Sequence, residues 1–102
     1  MSFESPYAAY DHLSKSIKDA MIDVIKSIID NKGLKEINSS TFGNKILKLD
    51  SSDDFKQHCG THSRQCIGLL LKEYLTEQPK WSGPVIKKFN GREQKFYSRD
   101  PD

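Results

Sequence analysis

His58 to Cys66, reading HCGTHSRQC, is the densest run of chemically capable side chains in the sequence. Imidazole and thiolate are ligands that zinc prefers, and His62 and Cys66 stand one helical turn apart. His58, Cys59, His62 and Cys66 are therefore the candidate metal ligands. Their spacing argues against a metal site, because all four fall within nine residues, the first two are adjacent, and Cys66 projects toward the expected core. The same run could pair a cysteine nucleophile with a histidine base. No orienting third group, glycine-rich phosphate loop or set of paired acids accompanies it, and so small a chain has little volume for a pocket. Neither enzymatic activity nor a cofactor is expected.

A second set of side chains suits anions. Residues 1–60 carry eight lysines against nine acids, whereas residues 61–102 carry five lysines and all three arginines against five acids. Between Lys80 and Arg99 six basic residues meet one acid, Glu93, which creates a local positive field whatever the fold. A solvated basic face without a partner is the alternative. No run approaches the roughly 18 apolar residues of a membrane span, and the N-terminus lacks the pattern of a signal peptide. The expected compartment is the cytoplasm, in association with the nucleoid, or a nucleus if the source cell has one. Two cysteines seven positions apart do not form the spread framework of a secreted domain, so no disulfide is expected.

With 102 residues the chain has the size of one domain, 1–102, since two halves would each be too small to bury a core. Ser5-Pro6 places a good cap before proline at the first helical position. Leu13, Ile17, Ala20, Met21, Val24 and Ile28 then recur at helical spacing, predicting one long helix over about 6–31 that stops at Gly33. A second apolar set, Ile22, Ile25 and Ile29, widens the stripe. Such a helix either sits centrally in a small core or meets a second subunit in a homodimer. Leu34 and Ile37 suggest a short extended piece. Asn38-Ser39-Ser40 then caps a helix through Leu49, with Phe42, Ile46 and Leu49 inward.

Ser51-Ser52-Asp53-Asp54 opens a short helix that stops at Gly60, with its acids where the helix dipole favours them. A strong helix follows from Ser63 to Glu77, its inner face Cys66, Ile67, Leu70, Leu71 and Tyr74, closed by Pro79. Trp81 to Pro84 is expected as a turn, with Trp81 plugging the seam beside the last helix. Val85 to Phe89, Asn90-Gly91 and Arg92 to Tyr97 form a strong hairpin signal, because Asn-Gly supplies the two positive φ angles of a tight turn. The register follows: Phe89 opposite Arg92, Lys88 opposite Glu93, Ile86 opposite Lys95, Val85 opposite Phe96. Ser98 to Asp102 is expected to fray. The fold class is mainly α with a C-terminal β-hairpin, α+β.

A short helix, a glycine-containing turn and a longer helix make a helix-turn-helix arrangement over about 41–78. On the longer helix, about 62–77, Thr61, Arg64, Gln65, Gly68 and Lys72 lie opposite the buried face. Arg64 can offer its fork to guanine and Gln65 its amide to adenine, while Thr61 and Lys72 suit phosphates. From about Ile37 to Tyr97 the chain resembles the winged helix-turn-helix family in layout: a short helix before Gly60, the helix THSRQCIGLLLKEYL, and the hairpin VIKKFNGREQKFY over about 84–97 as the wing. The resemblance implies a non-enzymatic, duplex-DNA-binding domain, a transcriptional regulator by type. Thr61, Arg64, Gln65 and Lys72 would then act in the major groove, and Lys87, Lys88, Arg92 and Lys95 on the wing. An extra helix near 41–49 and the acidic DSSDD segment depart from that layout. The competing expectation is a protein-interaction module that docks on a larger complex.

Overall fold

A computed structural model describes residues 3–100. Ser5 caps α1 (Pro6–Asp11) through a hydrogen bond from the Ala8 amide, as Ser-Pro requires. The long helix expected over 6–31 is in fact two. Ser14 is a second N-cap, its hydroxyl accepting from the Ile17 amide at 3.3 Å, and it starts α2 (Lys15–Lys32). Between the two helices Leu13 turns into the core. The buried row of α2 is Met21, Ile25 and Ile29, with Ile17, Ile22 and Ile28 half-buried beside it and Ala20 exposed. Of the second apolar set, Ile25 and Ile29 lie in this chain's own core.

The extended piece expected near Ile37 is β1 (Glu36–Asn38), and the Asn38 side chain caps α3 (Ser39–Leu47) by accepting from the Ser40 and Thr41 amides. Phe42 and Ile46 point inward as expected. Leu49 does not, because α3 ends two residues earlier and Leu49 leads, exposed, into a 3₁₀ turn over Asp50–Ser52. There the buried Ser52 hydroxyl donates to the carbonyls of Leu47 and Leu49. The acids Asp53 and Asp54 open α4 (Asp53–Cys59), and a second 3₁₀ turn over Gly60–His62 leads into α5 (Ser63–Thr76). Its buried face is Ser63, Cys66, Ile67, Leu70, Leu71 and Leu75. Tyr74, expected on that face, is only half-buried at its margin.

β2 (Trp81–Phe89) and β3 (Arg92–Arg99) form the hairpin in the expected register, with Asn90 and Gly91 both at positive φ. Trp81 to Pro84 is strand, not turn. A bulge between Ser82 and Val85 lets the strand pass, and only glycine fits at position 83: its φ is 125°, and an added Cβ would lie 2.7 Å from the Phe96 carbonyl oxygen. Nor do Ser98 and Arg99 fray. Ser98 pairs with both Glu36 and Ser82, and the amides of Arg99 and Asp100 bond the Lys35 and Lys80 carbonyls at 2.8 and 2.7 Å. Pro101 and Asp102, also expected to fray, lie outside the described residues. The result is an α+β domain whose three strands form an antiparallel sheet in the order β1-β3-β2. Tyr97 and Ile37, cross-strand partners, join the sheet to the helical core.

Candidate nucleic-acid interface

The outward face of α5 is positioned by two contacts that its sequence alone does not advertise. α3 lies so close to it that a Cβ on Gly43 would come within 2.9 Å of the Ile67 methyl. α1, turned by the break at His12–Ser14, is tied to α4 and α5: His58 Nε2 bonds the Ala9 carbonyl at 3.1 Å, and the Cys66 thiol meets the Pro6 carbonyl at 3.5 Å. The segment before α1 is held similarly, with His62 Nε2 at 2.8 Å from the Phe3 carbonyl and the Phe3 ring packed on His12 and His58. A carbonyl only accepts, so both imidazoles carry their proton on Nε2.

Two adjoining grooves follow the exposed side of α5. One, about 400 Å³, lies between Ser39, Ser40 and Asn44 of α3, Arg64 and Gln65 of α5, and Arg92 to Lys95 of β3. The other, about 320 Å³, is bounded by Pro6 and Tyr7 of α1, Gln65, Gly68 and Lys72 of α5, and Lys95. Ser39, Gln65 and Lys95 belong to both, so the grooves form one trough along the helix. Arg92 borders it because β1 pairing stops at Asn38 opposite Phe96, which leaves the neighbouring edge of β3 facing α3 and α5. Three cations, Arg64, Arg92 and Lys95, line the first groove against the single acid Glu93. A polyanion entering there meets favourable potential and hydrogen-bonding amides and hydroxyls together.

Of the eight residues expected to contact DNA, five therefore share one trough: Arg64, Gln65, Lys72, Arg92 and Lys95. Thr61 sits in the 3₁₀ turn ahead of α5, exposed and outside both grooves. Lys87 is on the outer face of the sheet, 3.5 Å from Glu36 and over the Phe96 ring. Strand alternation puts Lys88, opposite Glu93, on the helix-facing row, but it lies near the tip and lines neither groove. Ser39, Ser40, Asn44 and Tyr7 escaped the sequence reading. Gly43 was the available signal, since a glycine inside a helix often marks a close helix contact.

The metal candidates do not converge. His58 and His62 are engaged with backbone carbonyls of the N-terminal segment, and Cys59 and Cys66 are buried free thiols. Burial, then the hydrogen bond with Cys66, pushes the Cys59 thiol up to about 12. Burial also raises Cys66. Among the described residues no three His, Cys, Asp or Glu side chains gather as a metal site, and no helix is long and apolar enough to cross a membrane. Trp81 is half-buried against the core at the end of α5. Phe89 is half-exposed near the hairpin tip, packed edge-on against Phe96. No family model matches the chain, and no curated protein or solved structure is significantly similar to it.

Proposed function

We propose that the chain is a nucleic-acid-binding domain of the winged helix-turn-helix type, with duplex DNA as its ligand. The observation that carries this reading is the trough in which the exposed face of α5 and the hairpin present Arg64, Gln65, Lys72, Arg92 and Lys95 together. Element order and the strand order β1-β3-β2 support it. The close packing at Gly43 favours α3 as the helix that supports α5, with α4 inserted between them. In this arrangement Gln65 and Arg64 meet base edges, and Lys72, Arg92 and Lys95 meet phosphates.

Titration at one fixed low salt concentration, followed by a salt series, tests the proposal. Lys72→Ala and Lys95→Ala should weaken binding to every duplex alike and lower the salt slope by up to about one unit per lost contact. Gln65→Ala and Arg64→Ala should cost a preferred site about 1–3 kcal/mol and random DNA much less. Lys87→Ala should change little, because its ammonium already faces Glu36. Absence of binding to random-sequence duplex at low salt overturns the proposal. It would favour the second reading, a protein-docking module, for which the exposed Val85 and Phe89 supply apolar surface on the outer face of the hairpin.

A further inference from the structure

Tyr7 is 67% exposed, more than any other large apolar residue described. An aromatic ring left in water on a loose terminus carries no message, but α1 is not loose. Its carbonyls are held by His58 and Cys66, Tyr10 bonds Glu73 of α5, and the chain just before it is held by His62. The fold thus fixes an uncovered ring at the rim of the trough, beside Gln65, Gly68 and Lys72. A large side chain ordered before its partner arrives loses little further freedom on contact, which is the property of an interface anchor.

Resting on the reading of the trough as the DNA surface, we infer that Tyr7 is a further DNA-contact residue. Its ring packs against the sugar and base edges of the strand that Lys72 and Lys95 hold by its phosphates. Duplex DNA is the occupant that the charge on this groove favours, since Lys72 and Lys95 line it and no acid does. α1 then forms a third wall beside α5 and the hairpin. His58 and His62 are positioning residues for that wall and do not touch DNA.

The contact is apolar, so its loss differs from the loss of a cation. With a labelled random-sequence 20-base-pair duplex as probe, at a length chosen as about two helical turns, Tyr7→Ala should weaken binding about 5- to 20-fold with the salt slope unchanged. Tyr7→Phe should stay within about twofold of the parent, because the ring is retained. His62→Ala should weaken binding in the parent but add nothing in the Tyr7→Ala background. Nitration by tetranitromethane should mark Tyr7 first, and saturating duplex should protect it. Binding unchanged in Tyr7→Ala while Lys72→Ala and Lys95→Ala weaken it overturns the inference and leaves the DNA reading intact. A Tyr7→Phe variant as weak as Tyr7→Ala overturns the ring contact. If the lysine variants also bind like the parent, the DNA reading itself fails.

Discussion

Two thiols packed in an apolar core resist ionisation, and this makes the domain sensitive to alkali. Cys59 ionises near 12 in the fold against an ordinary 9.0, and burial also raises Cys66, Tyr74 and Tyr97. A folded state that holds a proton more tightly than the unfolded chain is fully stabilised below the unfolded value and loses that contribution as pH rises toward the folded one. The melting temperature should therefore fall as pH rises above about 9. Thermal denaturation of the parent and of Cys59→Ala across that range checks this, the variant showing a shallower decline. Both thiols should also react slowly with iodoacetamide in the native protein and rapidly once it is unfolded. Reaction of either at the unfolded rate would contradict the placement of Cys59 and Cys66 at 2% and 0% exposure.

At the scale of elements, the approach of α3 to α5 separates two glycines that look alike in sequence. Gly43 and Gly68 both sit inside helices, where alanine gains about 1 kcal/mol in propensity. At Gly43 the new methyl would lie 2.9 Å from a methyl of Ile67, a β-branched side chain buried at 2% exposure with little freedom to yield. Overpacking of that kind costs about 1–3 kcal/mol, so Gly43→Ala should be net destabilising by about 1 kcal/mol. At Gly68 the nearest atom is the Ser39 hydroxyl at an ordinary 3.9 Å, and Gly68→Ala should stabilise the fold by up to about 1 kcal/mol. Urea denaturation measures both. Gly68 lines the trough, so on the proposed reading of the trough as a DNA surface the stabilised variant should bind duplex DNA more weakly than the parent.

For the whole molecule, the distribution of apolar surface bears on association. The dimer expectation rested on a long helix with apolar residues to spare, but Ile25 and Ile29 are core residues and no α2 side chain is among the exposed large hydrophobics. Sedimentation of the free protein at high micromolar concentration should report a monomer of 11.7 kDa. A dimer there would require an interface other than the inner row of α2. The sequence by itself determined what depends on near neighbours. Asn90-Gly91 set the hairpin register because two adjacent positive φ angles admit few turns. Asn38 and Gly60 bounded helices, and periodicity identified most of the α5 core face, because caps and helical repeats act over a few residues. Tertiary structure decided the rest. Continuous apolar spacing hid the break at Ser14, whose cap prevailed because it lets Leu13 reach the core. The sequence suggested an extended piece at Ile37 but not its pairing with β3, and Trp81 to Pro84 is too rich in turn residues to be read as strand, since the partners of both lie far along the chain. The trough is likewise a product of packing: Arg64 and Lys95 were legible as cations, but only the approach of α3 through Gly43 and the turning of α1 at His12–Ser14, held there by the His58 contact, set Ser39 and Tyr7 beside them.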